Sequence, residues 1–513
     1  MSLLIGGLWM AIFSIWLLAH HDTFRKYLNS GALKHLRYYH RRWQGLSYLL
    51  AGPQIIEEAY GKANGDTFVV PTPSNDYVMV TSTELIKEVI EAPVQSLSLH
   101  AMAKEMLQPK YTMHGFEWRE QRGAEGTGFV RALRSRMTSH LALFQPSIEK
   151  IIQTTIEEEV GILGKDELAQ VKLFPMIKRL VTKANSFVFF GEKLSQDEIF
   201  TDAALQFPQV VVFTAEILRI TPEFLRPLVA SWATSGHRAA KTLFRYLEPV
   251  VSERMAMQAS QAKGTIPKKG PVDCIQWLIE TSPQKDPWTT QRMIGEIMAV
   301  WFSTVHQLSI AAAFVVLDLC LHDEYVEPLR QEAHEYLVSN PGPLVTTGSE
   351  NLPLLDSFIR ESIRFSSADA ISCRRKALRT YVLQDGSKVE KGDWVCVPQA
   401  AMLHDARRFS CPDQFQGFRF AEVTKSLQSH EALTPASLTT ASIDWPIWGL
   451  GNAACPGRFY SALVLKLLTL QILSRWDCGL ADKSIPRSLV WRSSIVPRSD
   501  TLVAFRKRSR SYS

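Results

Sequence analysis

The sequence predicts a mainly α-helical protein with a smaller β region. Three observations carry this. Residues 146 to 255 are mostly helical by period, with short breaks, and Ile297 to Leu317 is a long apolar run without Asp, Glu, Lys or Arg. Short β-rich runs flanked by turn residues lie towards both ends of the chain, near 67–80 and 378–397. The composition, 46% hydrophobic and 21% charged, excludes a wholly disordered chain. Taken alone, 513 residues would suggest about three domains of ordinary size.

A net charge of +6 without interleaved basic and aromatic residues gives no sign of a nucleic-acid partner. The seven cysteines are scattered and form no C-x-x-C pair. That argues against a zinc site or a disulfide framework and fits a reducing compartment.

Taken in order, Ser2 to Ala19 is uncharged and just long enough to span a bilayer. It lacks the charged start and the small-residue cleavage site of a signal peptide, so residues 2–20 are expected to be a transmembrane anchor. Arg25, Lys26, Lys34, Arg37, Arg41 and Arg42 follow it, which puts the rest of the chain in the cytosol. Thr67–Val70 and Tyr77–Val80 flank a Pro/Ser/Asn turn and read as a hairpin, with a helix from Glu84 to Glu91. Residues 93–128 are irregular, and Arg131–Leu143 reads as a helix.

Gln258–Val272 and Ser339–Asn351 are polar loops. The 297–317 run is long enough to cross a membrane, but Ser303, Thr304, His306, Gln307 and Ser309 make its middle polar. It is expected to be the central helix of a large soluble domain. Asn351, ahead of Pro353, suits the start of a helix through Phe365. On that helix Glu361 and Arg364 fall away from the apolar stripe, so periodicity makes them a surface ion pair worth about 0.2–0.5 kcal/mol. Strands are expected at Leu378–Leu383 and Trp394–Val397, with Asp385-Gly386 as a hairpin turn between them. Thr424–Ser442 is an exposed loop.

The stretch WPIWGLGNAACPGRFYSALVLKLL, Trp445 to Leu468, places Cys455 in a glycine-rich turn just ahead of an apolar helix pattern. Glycines let the backbone bend tightly and let a flat ligand come close. The positive end of the helix and its unpaired N–H groups lower a cysteine pKa, and a thiolate is a good ligand for iron. A buried free cysteine in a turn before a core helix is the plainer reading.

This run resembles the haem-binding loop of the cytochrome P-450 family, F-x-x-G-x-x-x-C-x-G-R. Here it reads Trp448-x-x-Gly451-x-x-x-Cys455-x-Gly457-Arg458, with Trp in the Phe position. The resemblance implies that Cys455 is the axial thiolate of heme b, and that Trp448, Gly451, Gly457 and Arg458 help to bind it. Two further signatures lie in family order. Glu361 and Arg364 match E-x-x-R, which in the family is buried and bonded to a downstream loop. Arg419, in the segment Cys411–Phe420, matches P-x-R-F and would complete that network, with Gly417 where Pro often stands.

Many members have Arg or His two residues before the ligand, on a haem propionate; here that residue is Ala453. The propionates would then fall to Arg134, Arg375 and Arg458. Arg134 matches the Arg of W-x-x-x-R, with Val130 in the Trp position; Trp118-x-x-x-Arg122 has the spacing in another context. Arg374 is the close rival of Arg375. On the central helix, Ser303 to Leu308 occupies the family's A/G-G-x-D/E-T-T/S. His306 replaces the acid and Gln307 the threonine of the proton relay, and a histidine that titrates near neutral pH beside an amide holding water is a plausible substitute. A packed core histidine is the plainer alternative.

The resemblance covers roughly residues 30 to 513 and implies one haem-thiolate catalytic domain over that range. It implies insertion of one oxygen atom from O2 into a lipophilic small molecule. No nucleotide fingerprint is visible, so a separate NADPH-dependent cytochrome reductase is expected, docking near Cys455. Specificity is expected around 95–127, 200–225 and 297–311. Likeness to fungal biosynthetic members suggests a terpenoid, meroterpenoid or indole-diterpene substrate of secondary metabolism, at the endoplasmic reticulum membrane. The rival readings are a haem-thiolate isomerase or dehydratase that consumes no NADPH, a haem sensor or carrier, and a two-span membrane protein.

Overall fold

In the computed structural model, residues 40–116, 128–161, 167–262, 270–283, 287–340, 342–344, 352–421 and 437–508 are described. The expected anchor, residues 2–20, and Trp118 with Arg122 lie outside them. Helices of two turns or more are α1 (Tyr48–Ala63), α2 (Thr83–Glu91), α3 (Leu99–Leu107), α4 (Leu141–Val160), α5 (Leu173–Phe190), α6 (Glu198–Arg219), α7 (Arg226–Ala233), α8 (Arg238–Ala262), α9 (Cys274–Thr281), α10 (Thr290–Leu321), α11 (Val326–Ser339), α12 (Pro353–Phe365) and α13 (Arg458–Arg475). The strands are β1 (Phe68–Pro71), β2 (Asp76–Met79), β3 (Leu97–Ser98), β4 (Ala169–Lys172), β5 (Ser372–Ala377), β6 (Tyr381–Val382), β7 (Lys388–Val389), β8 (Trp394–Val397), β9 (Trp476–Leu480), β10 (Ser488–Trp491), β11 (Ser494–Pro497) and β12 (Leu502–Lys507). The protein is thus mainly helical with small sheets.

Helix α10 is the spine. The Thr289 hydroxyl caps it by accepting the Arg292 N–H at 3.2 Å. Its charge-free middle is mostly buried, packed against α5, α6, α8, α12 and α13. A helix apolar on nearly all sides needs neighbours on all sides, and a protein core supplies them. Around Trp301 the packing is aromatic: Phe190 lies 4.8 Å from its ring and Phe200 4.9 Å from Phe190.

The largest sheet has the order β1-β2-β8-β5-β3. β1 and β2 form the expected hairpin, with Phe68 opposite Met79. The second expected hairpin is different. Asp385-Gly386 joins β6 to the two-residue β7, while Trp394–Val397 pairs with β5 and, in parallel, with β2. Central strand β8 is buried at every position, as membership of a covered sheet requires.

Arg131–Leu143 is not one regular helix. A short α-helical start gives way to a π-helical turn at Leu133–Met137, then a 3-10 turn, before α4 begins. Such a bulge re-aims side chains along a helix, here Arg134 and Met137. Two boundaries shift. Helix α8 runs to Ala262, into the expected 258–272 loop, and Leu352 stands at the cap position of α12 in place of Asn351, which lies outside the described residues.

Candidate functional site

The Cys455 loop is built by its glycines. Gly449 and Gly451 have φ of 70° and 59°, in the region that disfavours side chains. A Cβ on Gly451 would come within 2.8 Å of Ile90 Cγ2. The turn closes when the Cys455 N–H donates to the Trp448 carbonyl at 2.7 Å. Trp448 Nε1 donates to the Leu438 carbonyl at 2.7 Å. Arg458 donates to the carbonyls of Thr439 and Cys455, each at 3.0 Å, and lies over the Phe459 ring. Helix α13 starts at once, so the amides of Gly457 and Arg458 point at the half-buried Cys455 Sγ. Burial pushes the thiol up; those amides and the Arg458 charge oppose it.

Arg134 reaches this loop from the π-helical turn. Its Nη2 donates to the carbonyls of Asn452 at 2.9 Å and Ala454 at 3.3 Å. Arg374 and Arg375, neighbours on β5, part ways. Arg374 ion-pairs with Asp369 and donates to Ser493 Oγ at 3.2 Å. Arg375 donates to the Arg374 carbonyl, and among the described residues it has no carboxylate within ion-pair distance. Burial pulls its guanidinium below its ordinary value, as expected of a buried cation without an anion.

Glu361 and Arg364 are both 0% exposed. They form a bidentate pair at 2.7 and 2.9 Å, so the surface pair that periodicity suggests is in fact buried. Arg419 Nε joins the same carboxylate at 3.1 Å, and the Gln416 amide at 2.9 Å. The guanidiniums then gather loop carbonyls: Leu403 on Arg364, and Ser410, Cys411 and Gln414 on Arg419. One buried carboxylate thus pins residues 403–419 to α12.

On α10, Ser303 and Gln307 are one turn apart and exposed, an open polar stripe on an otherwise buried helix. Their neighbour His306 turns the other way, onto α6. There the sequence has Pro208 inside a helix, which removes an N–H and leaves the Ala204 carbonyl without its helical donor. Trp301 Nε1 supplies it, at 2.9 Å. The His306 imidazole bonds the Pro208 carbonyl, while its Nε2 is buried without a partner. Burial, with the Lys178 charge, holds His306 below its ordinary pKa against that carbonyl's pull, so the neutral ring is favoured.

Two residues that sequence reasoning did not single out complete the frame. Asn185, fully buried on α5, donates to the Thr304 carbonyl at 3.0 Å and accepts the Tyr460 hydroxyl at 2.8 Å. It ties α10 to the first turn of α13. No local signal marks Asn185; Tyr460 stands five residues after Cys455.

This donor set fits a haem. A thiol that two amides address can bind iron, the glycine turn admits a flat ligand, and Arg375 is a buried cation awaiting an anion such as a propionate. Arg134 and Arg458 are further cations on the same loop.

The cytochrome P-450 family model matches residues 52–504. Cytochrome P-450 monooxygenase olcJ of Penicillium canescens is 27% identical over 474 residues, 91% of this chain and 86% of the relative. Cytochrome P-450 monooxygenase ptmP of Penicillium ochrochloron is 30% identical over 351 residues, 66% and 75% of the two chains. In fold, the chain is similar to retinoic acid-bound cyanobacterial CYP120A1, with a TM-score of 0.67 and 17% identity over 91% of this chain and 96% of that one.

Proposed function

The chain belongs to the cytochrome P-450 family, and we propose that it hydroxylates a lipophilic small molecule of terpenoid, meroterpenoid or indole-diterpene type, in secondary metabolism. As a member it is a haem monooxygenase that carries heme b. The observation that carries the residue assignment is Cys455 Sγ addressed by two amides at the start of α13. Cys455 would be the axial ligand, with Trp448, Gly451 and Gly457 shaping its loop and Arg134, Arg375 and Arg458 meeting the propionates. The chemistry supplied by bound haem is two-electron activation of O2 and delivery of one oxygen atom to substrate.

The chain's own part is to hold and to gate. Glu361, Arg364 and Arg419 fix the segment that leads to the Cys455 loop. Ser303 and Gln307 offer hydroxyl and amide groups that hold water on the open stripe of α10. On the α6 side of α10, His306 keeps a buried, unpartnered Nε2 able to accept a proton. Helix α6 roofs the central helix and, with the 95–127 segment, selects the substrate. Electrons come from an NADPH-dependent cytochrome reductase docking on the face near Cys455.

Residues 2–20 anchor the chain in the endoplasmic reticulum membrane, with the catalytic part cytosolic. Exposed apolar side chains on and before α7, Phe224, Leu228 and Trp232 at 71–75%, suit contact with the same lipid surface. The test is the difference spectrum of reduced, carbon monoxide-bound protein, wild type against Cys455→Ala. A thiolate-type Soret band lost in the variant is expected; a band retained by folded Cys455→Ala would overturn the assignment. NADPH- and reductase-dependent gain of one oxygen by a terpenoid substrate then tests the reaction, and turnover without NADPH would overturn it.

A further inference from the structure

At the far end of the roof helix the charges do not balance. Arg219 closes α6, its side chain 6% exposed, and buried Arg492 turns β10 into β11. They share one carboxylate. Glu216 accepts from Arg219 Nη1 at 3.0 Å, from Arg492 Nε, and from Trp491 Nε1 at 3.0 Å. Arg219 Nη2 also reaches the Tyr77 hydroxyl at 3.4 Å, and its guanidinium lies 5.6 Å over Trp394, on which Tyr77 stacks at 4.9 Å. Two donors in this cluster have no acceptor: Arg492 Nη1 and Trp394 Nε1, both buried.

The neighbouring charges do not supply what is missing. Glu105 is taken by Lys376, and Asp369 by Arg374. With Glu216 that makes three carboxylates against four cations, Arg219, Arg492, Lys376 and Arg374, an excess of one positive charge around buried Arg492. Burial and the adjacent Arg219 pull the Arg492 guanidinium below its ordinary value, while Tyr77 and Glu216 outweigh burial and hold Arg219 above its own, so the shortage of anion falls on Arg492. Buried donors are nearly always satisfied, so a cluster of donors without acceptors is a site for an acceptor. One missing negative charge selects a monoanion over a phosphate, and a planar two-oxygen group suits a guanidinium.

We propose that Arg492, Arg219 and the Trp394 N–H form a carboxylate subsite, and that the substrate is a lipophilic monocarboxylic acid. This rests on the monooxygenase reading and deepens it. Arg219 lies eleven residues beyond Pro208, where α6 meets His306, about 16 Å along the helix. The acid is therefore held at one end and oxidised towards the other.

The test is a titration of the full-length holoenzyme with palmitic, abietic and retinoic acids and with their methyl esters. Binding is read from the Soret shift and from the rise in melting temperature. At least one acid binds wild type about tenfold tighter than its ester. Arg492→Gln removes that preference and leaves the ester's affinity in place. Trp394→Phe reduces it, and Glu216→Gln, which removes the competing carboxylate, widens it. No acid preferred over its ester, or Arg492→Gln weakening both alike, overturns the subsite. Failure of the haem reading shows separately, as a missing thiolate-type band before any acid is added, and the melting temperatures still report the subsite.

Discussion

Truncating Glu361 to alanine strands two buried guanidiniums. In the native chain its carboxylate takes Arg364 Nε and Nη2, Arg419 Nε and the Gln416 amide. The side chains of Glu361 and Arg364 are 0% exposed and that of Arg419 6%, so water does not replace the lost contacts. Breaking a buried pair by removing one partner costs about 3–5 kcal/mol. A cooperative unit of about 450 residues has an unfolding entropy near 1 kcal/mol per kelvin, so the melting temperature should fall by about 3–5 °C. Arg419→Ala removes one of the two cations and leaves Glu361 with its Arg364 fork; its fall should be about half as large. The assay is circular dichroism melting of purified protein, with the thiolate-type Soret band followed alongside, because residues 403–419 precede the Cys455 loop proposed to hold haem. Glu361→Ala melting within 1 °C of wild type, or melting above Arg419→Ala, would refute the view that one carboxylate organises this segment.

Other outcomes follow from the same reasoning. Trp301→Phe leaves the Ala204 carbonyl without a donor and should cost about 1–3 kcal/mol; in a Pro208→Ala background, where residue 208 regains its N–H, urea titration should show a smaller cost. The His306 pKa is lowered in the fold, so the stability it contributes is complete above the unfolded value of about 6.5 and is lost as pH falls through the lower folded value. His306→Gln should therefore lose less melting temperature than wild type between about pH 7 and pH 5, and equal losses would count against the burial account. Burial pushes the Cys396 thiol up to about 12 and raises that of Cys274, and a hydrogen bond with Cys478, together with burial, raises that of Cys320, so all three stay protonated. Iodoacetamide at neutral pH should label exposed Cys411 first, as peptide mapping would show.

What the sequence made legible was chemistry at fixed spacing. The Cys455 loop could be read because its glycines, its cysteine and the following helix are contiguous, and local physics ties them together. Glu361 and Arg364 could be paired for the same reason, but their burial could not be read from period, which treats charge as solvent-facing. Here carbonyls from a loop some forty to fifty residues downstream enclose the charge. The Asp385-Gly386 turn was visible, yet its partner strand has only two residues, too short to carry an alternation. Arg134 meets the Cys455 loop across 318 residues of chain, and Asn185 meets Tyr460 across 275, distances at which no periodicity speaks. The Arg219–Arg492 cluster, assembled from four separate stretches, was invisible for that reason.

The replacement at 306 has a physical explanation in a residue far from it. A carboxylate at this position would face the Pro208 carbonyl, acceptor against acceptor, whereas an imidazole N–H donates to it. Nearby Trp301, five residues earlier, meets the same roof helix by donating to Ala204, the carbonyl that Pro208 itself deprives of a partner. Both side chains on α10 are donors because α6 presents them with carbonyls around its proline. The histidine is thus the side chain that can satisfy the roof with one nitrogen and still leave the other, Nε2, unpaired. An amide at 306 could donate to the roof as well, but it could not take up a proton near neutral pH. That difference is what the proposed proton-relay role of His306 rests on, beyond its hydrogen bond to the roof.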